Sequence, residues 1–338
     1  MSFHNRNLLL GSAALLALTS GGLSAAQAKT MTMATDRVGS LFNALGTGVA
    51  KTITQAGKDR VIVKAFGGPE AYLRAIENGD VDLAVLSASS AYAAFNGQNK
   101  NKTRFTKLRL LRAGEGGLKL TMVVPAKSNI MTYKDLKGRK VASSYGGHAV
   151  IPPSIAGALS TVGLTWDDVV QVPVTGVIGG VKAIEAGRAE ASWSSFGMPA
   201  TRQLHAKMGV RYLSLPPGKD VEAKLRKAMF PGVKLVPVKA NPKMGMPKDG
   251  WLISYDSYII ASPKMTDEDV TRIMNTLWEG TPELQKAHWG LRGFTHPIAV
   301  TDIPMLPYHP AAVDFYKGKK IWTAEVEKAN EMVTKAAK

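Results

Sequence analysis

Val61-Ile62-Val63-Lys64-Ala65-Phe66-Gly67-Gly68-Pro69-Glu70-Ala71-Tyr72-Leu73-Arg74-Ala75-Ile76-Glu77-Asn78-Gly79-Asp80-Val81-Asp82-Leu83-Ala84-Val85-Leu86 decides the fold. Val61 to Phe66 reads as a short β-branched strand. Gly67-Gly68-Pro69 then opens a helix over Pro69 to Asn78. The proline sits where a helix has no use for its missing N–H, and Gly79 supplies the stop. Val81 to Leu86 is a further strand. Strands alternating with helices in this way imply a parallel sheet with right-handed crossovers.

The pattern extends outward. Upstream, Lys29 to Thr35 reads as a strand, and Ser40 to Gln55 as a helix with Ser40 able to cap it. Downstream, Leu120 to Val124 is a strand and Tyr133 to Leu136 a short helix ended by Gly138. Lys140 to Ser143 is a strand, followed by a helix from Pro152 to Val162 that stops at Gly163. Asp167 to Gln171 leads into Val172-Pro173-Val174. Gly179 to Ala186 is a helix closed by Gly187, and Ala189 to Trp193 a strand. A helix over Thr201 to Met208 and a strand over Val210 to Leu215 follow. The tail returns to a strand at Tyr258 to Ser262 and a helix from Thr266 to Gly280, where Thr266 and Asp269 resemble a capping box. A Pro-rich stretch, Pro304 to Pro310, precedes a last pair of helical segments.

Two such α/β units in one chain predict two lobes with a cleft between them. Open α/β sheets bind ligands beyond the carboxyl ends of their strands. That places the expected site at the turns after Thr35, Phe66, Leu86, Ser143 and Trp193.

Export is predicted from the first 28 residues. Arg6 is a positive n-region, Leu8 to Ala17 an apolar run, and Ala26-Gln27-Ala28 a cleavage pattern. The run is too short for a bilayer span of roughly 20 residues, so cleavage near Ala28 and a periplasmic location are expected. About 310 residues then remain, enough for two domains with cores of their own. Hydrophobic residues are 45% of the chain and cysteine is absent, which removes thiol catalysis and Cys-type metal sites. The net charge is +17, but the cations are scattered, as in Lys137 to Lys140 and Lys317 to Lys320. A basic surface that draws small anions fits this better than nucleic-acid binding.

Each candidate residue has a plainer reading beside the functional one. The turn Tyr145-Gly146-Gly147-His148 lies before a helix, where backbone amides can hold a carboxylate and His148 can add a hydrogen bond or charge. His148 can equally be a loop histidine. Ser87, Ser89, Ser194 and Ser195 fall at two strand ends and offer hydroxyls to a polar ligand, or simply cap turns. Phe42, Phe66, Tyr145, Trp193 and Phe196 can wall a site or fill a core. Asp36, between Thr35 and the Gly39-Ser40 loop, can read an amine or sit at the surface. None of the six histidines forms H-E-x-x-H, and there is no G-x-S-x-G elbow or P-loop. Gly46 and Gly48 lack a third glycine at Lys51. No catalytic residue, metal or cofactor is expected.

At the same turns the chain resembles a known family, the TAXI-type receptors of tripartite ATP-independent periplasmic (TRAP) transporters. The resemblance rests on Ala34-Thr35 with Gly39-Ser40, on Phe66-Gly67-Gly68, and on Asn78 to Ala84. It continues through Ala91-Tyr92 to Asn96-Gly97, Leu136-Lys137-Gly138-Arg139-Lys140-Val141, and Pro307-Tyr308-His309-Pro310 with Phe315-Tyr316. It implies a type II periplasmic-binding-protein fold. Lobe one would comprise residues 29–119 and 250–338, and lobe two residues 120–249, joined by a hinge. The implied partner is a TRAP permease driven by an ion gradient, and Gly67 belongs to the implied ligand loops. The chain departs from the family at the cleft: Leu41-Phe42 replaces an aromatic pair, Ser87-Ala88-Ser89 a Gln-Asn-Asp-like run, and Tyr145 to His148 a Gly-Ser-Gly-Thr loop. Those departures weaken the case for the family's glutamate-like ligands. The expectation is therefore a receptor for a small organic anion, with a carboxylate foremost. A receptor serving a sensor or another transporter class, or a periplasmic hydrolase, are the alternatives.

Overall fold

The strand at Thr30–Thr35 (β1) lies inside the first sheet, one strand from its edge, in the computed structural model, which describes residues 29–57, 59–115 and 117–338. The expected signal peptide falls outside them. After β1 come α1 (Leu41–Ala56), β2 (Arg60–Ala65), α2 (Pro69–Asn78), β3 (Leu83–Ser87), α3 (Ala88–Phe95) and β4 (Arg109–Gly114). Next are β5 (Lys119–Pro125), β6 (Lys140–Ser143), α4 (Ile151–Ser160), β7 (Val170–Pro173), α5 (Val177–Glu185) and β8 (Ser192–Ser195). Then follow α6 (Pro199–Met208), β9 (Val210–Tyr212), α7 (Lys219–Ala228), β10 (Lys234–Val238), β11 (Gly250–Ser254) and β12 (Ser257–Ala261). The chain ends with α8 (Asp267–Glu279), α9 (Thr281–Ala287), α10 (Pro310–Gly318) and α11 (Ala324–Ala336).

The local signals act as their chemistry requires. Ser40 caps α1 by accepting from the Asn43 amide, and Pro69 opens α2, which Gly79 closes in the left-handed conformation at φ 76°. Asp82 clamps β3 to β1: its carboxylate accepts from the amide (2.7 Å) and hydroxyl (2.9 Å) of Thr32. Thr266 caps α8 as expected. The reciprocal half of that box is different, because Asp269 turns its carboxylate to Lys29 and Arg272.

The first sheet runs β2-β1-β3-β12-β4, with β1, β2 and β3 parallel and β12 antiparallel to both neighbours. The second runs β10-β11-β5-β8, all antiparallel, with β9 on the far half of β5. In that half β6 and β7 are parallel, as a two-stranded pair. The expectation of a repeated parallel unit therefore fails for the second sheet. Its strands β5 and β11 lead into and out of it from the first sheet, and chains entering and leaving by the same side run in opposite directions. The expected strand over Val210 to Leu215 shortens to β9, although the Leu213 amide still bonds the Met122 carbonyl. α3, α7 and β10 are further elements that sequence reading left unassigned. α7 buries only Leu225 and so shows little apolar stripe.

Asp256 lies between β11 and β12, near Glu115, Asp302 and Lys234. Burial, helped by Glu115 and Asp302 against the pull of Lys234, pushes its carboxyl up to about 6. This lies above its unfolded value of about 3.9. The stability it contributes is therefore full below about pH 4 and is lost as pH rises through about 6. Asp256→Asn should flatten that slope and stabilise the protein by about 1–2 kcal/mol at pH 7.5, after allowance for partial exposure. Melting curves of both proteins from pH 4 to 8 test this; parallel profiles would refute it.

Candidate functional site: a cleft closed by Asp36 and His148

Two turns meet between the sheets. The first follows β1. Thr35 donates its hydroxyl to the Asp36 carbonyl at 3.1 Å and accepts from Asn43 at 3.0 Å, which fixes the backbone just before the Ser40 cap. The second follows β6 and is strained. Ser144 (φ 65°) and Tyr145 (φ 41°) occupy the left-handed region in succession, a conformation that costs of order 1–3 kcal/mol per non-glycine residue. Tyr145 is held there by its fully buried phenol, whose oxygen accepts from the Trp193 amide at 2.7 Å and bonds Ser192 Oγ at 2.9 Å. Burial pushes that phenol's pKa well up, so it stays neutral.

The strained turn directs His148 across the gap. Its Nε2 lies 3.1 Å from Asp36 Oδ2, and both side chains are more than nine-tenths buried. The glycines around them touch as well. A Cβ on Gly147 would lie 2.2 Å from the Gly67 carbonyl oxygen, and one on Gly68 2.2 Å from the Gly147 carbonyl oxygen. Only glycine lets the two backbones approach so closely.

Behind the contact is a cavity of about 50 Å³. Its apolar wall includes Leu41, Phe42, Leu86, Ile151, Trp193 and Met198. Polar groups at its rim are Asp36, Ser40, Tyr72, Ser87, Ser195 and Tyr255. Two buried polar atoms here have no hydrogen-bond partner: Asp36 Oδ1 and Tyr72 OH. Desolvation, with the Asp36 charge beside it, raises the Tyr72 phenol well above its ordinary pKa. Apolar walls with a few converging polar groups are the general form of a small-molecule site. A buried polar atom without a partner costs about 1–3 kcal/mol, which a ligand group can recover.

The expected site residues divide. Asp36, Ser40, Phe42, Ser87, His148 and Ser195 line this cavity, and Gly67 lines a neighbouring one. Ser87 also caps α3, accepting from the Ser90 amide at 3.0 Å. Phe66 stacks edge-on against Tyr72, and Thr35 and Gly39 sit behind the first turn, the Gly39 carbonyl accepting from the Ala200 amide. Other residues are placed elsewhere. Tyr145 and Ser194 face inward, Ser194 bonding Thr201 at 2.7 Å, and Phe196 packs on Tyr212 in a second, smaller core. Ser89 opens on a different groove, beside Tyr92 and Phe230. The amides of Gly146, Gly147 and His148, expected to hold an anion, bond the carbonyls of Val174, Thr175 and Tyr145 instead. A turn this tight uses its own donors.

Sequence reading missed Tyr72, Tyr255, Leu118 and Leu120. Tyr72 was legible only as one apolar position of α2; that it faces Asp36 depends on how α2 packs. Trp193, read as core, is both core and cavity wall. Among the described residues no group of three or more His, Asp or Glu is placed to hold a metal, and no helix is long and apolar enough to cross a membrane.

The model of the NMT1-like family matches residues 33–319. No curated protein matches the chain in sequence. Among solved structures, MatC from Rhodopseudomonas palustris with bound malate superposes with a TM-score of 0.55 at 12% identity, over 92% of this chain and 99% of that one. Periplasmic binding protein BugD gives 0.55 at 12%, over 91% and 97%. A protein described as a periplasmic transporter gives 0.55 at 14%, over 91% and 97%. At such identities the likeness carries the fold, the α/β periplasmic-binding-protein fold, and the site must carry the function.

Proposed function

Because the chain belongs to the NMT1-like family and has the periplasmic-binding-protein fold, we propose that it is the solute-binding component of a membrane transporter, exported to the periplasm. The observation that carries this reading is the closed cleft. Two turns from different sheets meet through Asp36 and His148 over a small apolar cavity that retains unpaired polar atoms. A cavity of about 50 Å³ admits a solute only if the cleft opens. Opening and closing by hinge motion around a solute is what this architecture permits.

The two sheets are taken as the cores of the two lobes. On this reading the chain crosses from lobe one to lobe two between β4 and β5 and returns after β11, whose pairing with β5 and β10 supports counting it with the second sheet.

The solute is a small organic anion, a carboxylate in the simplest case. The positive net charge favours anion capture at long range. MatC, of the same fold, is described with bound malate. The partner permease is of the TRAP type on the strength of the motifs from Ala34-Thr35 to His309-Pro310. The reading assigns no catalysis.

A thermal-shift panel of organic acids, amino acids, sulfonates and neutral sugars tests the solute class. A ligand at 100 times its dissociation constant stabilises by about 2.7 kcal/mol, so an organic acid is expected to raise the melting temperature by several degrees. A response to neutral sugars alone would overturn the anion assignment.

A further inference from the structure

A second cavity, of about 90 Å³, adjoins the other edge of His148 and is lined by Arg37, Gly67, Gly176, Val177, Gly179 and Lys182 among others. His148 Nε2 faces Asp36, and Nδ1 faces Gly176: a Cβ built there would lie 3.4 Å from it. Nδ1 is buried and has no hydrogen-bond partner. Gly176 is the N-cap of α5 and brings no side chain to cap it. The amides of Val177, Ile178 and Gly179 therefore have no acceptor within the helix, and the helix presents the positive end of its dipole. Arg37 extends along Gly67, with Nη2 3.7 Å from where a Cβ would stand, and Lys182 lies one turn into α5. Glu185, one turn further, is taken by Lys207 at 2.7 Å. Free amides, a dipole and two cations converge on one small volume, beside an unpaired imidazole nitrogen that donates to an oxyanion only when both ring nitrogens carry protons, since Nε2 faces the Asp36 carboxylate. The inner cavity, in contrast, holds the buried carboxylate of Asp36.

We propose that this second cavity is an oxyanion subsite for a carboxylate, sulfonate or phosphate-like group. Arg37 and Lys182 supply the counter-charge, the first amides of α5 the donors, and His148 the inner wall. The inference rests on the receptor reading and deepens it by orienting the solute. The acidic group sits at Arg37 and Lys182, and the apolar body points past His148 toward Phe42 and Trp193. A second acid on that body would meet Asp36, so monoanions are preferred to dianions.

Inorganic sulfate is the probe, titrated calorimetrically into the full mature protein at constant ionic strength with chloride as reference. Sulfate is expected to bind, and Arg37→Gln and Lys182→Gln each to weaken it at least tenfold. Both side chains are exposed, so folding is preserved. The subsite is overturned if sulfate binds the wild type no better than chloride, or binds both variants equally well. An organic acid from the thermal-shift panel is then titrated with and without sulfate. Competition identifies the occupant as the solute's own acidic group; simultaneous binding overturns that orientation, because the subsite then holds a separate inorganic anion. If no organic acid binds but sulfate binding is lost in the variants, the subsite stands and the receptor reading falls. If an organic acid binds and the variants change neither it nor sulfate, the reverse holds.

Discussion

Gly147→Ala is expected to weaken solute binding about a hundredfold while leaving the protein folded, the equivalent of about 2.7 kcal/mol. The added Cβ would lie 2.2 Å from the Gly67 carbonyl oxygen, a backbone atom that cannot swing aside. Gly147 does not itself need the left-handed region, so the cost is steric and is felt only when the two turns touch. The variant raises the energy of the closed state without altering the open one. Apparent affinity falls by the fraction of closed state lost. Gly146→Ala is the contrast, since its Cβ would meet only the Thr175 carbonyl oxygen at 3.9 Å. Calorimetric titration of both variants, with small-angle scattering to report opening, decides the matter. Equal affinities for the two would show that the contact of Gly67 and Gly68 with Gly147 does not govern closure.

Arg112→Met is expected to destabilise the fold by about 2–4 kcal/mol, read from the urea midpoint. Arg112 is 1% exposed on β4. Its guanidinium donates to the Leu277 carbonyl at 2.7 Å, the Phe294 carbonyl at 2.9 Å and the Thr281 hydroxyl at 3.1 Å. It thereby ties the end of α8 and the start of α9 to the first sheet. Burial lowers its pKa, but these oxygen partners satisfy most of its donors. Methionine fills much of the volume but makes none of these bonds, and the Leu277 carbonyl keeps only the Thr281 hydroxyl at 2.9 Å. A change under 1 kcal/mol would mean that water replaces the guanidinium there.

Much of the fold was legible along the chain. Gly67-Gly68-Pro69 and Gly79 delimit α2, Ser40 caps α1, and the β-branched runs form β1, β2 and β3, because each signal is satisfied by atoms a few residues away. The antiparallel second sheet was not legible, since β5 meets β8 and β11 only after long excursions. α7 was hidden because a helix that buries one leucine shows no clear period.

The site divides along the same line. The sequence pointed to the turns after Thr35, Phe66, Leu86, Ser143 and Trp193, and Asp36, Ser87, His148 and Ser195 from those turns line the cavity. It misjudged the donors, because whether an amide is free depends on which carbonyl lies opposite. The amides of Gly146 and Gly147 are taken by Val174 and Thr175, residues distant in sequence, whereas the first amides of α5 are left over. Only the tertiary structure set His148 against Asp36 and placed Arg37 beside the start of α5. Caps and periodicity are local and short-ranged. The meeting of charges across a cleft is fixed by how two separately built sheets pack.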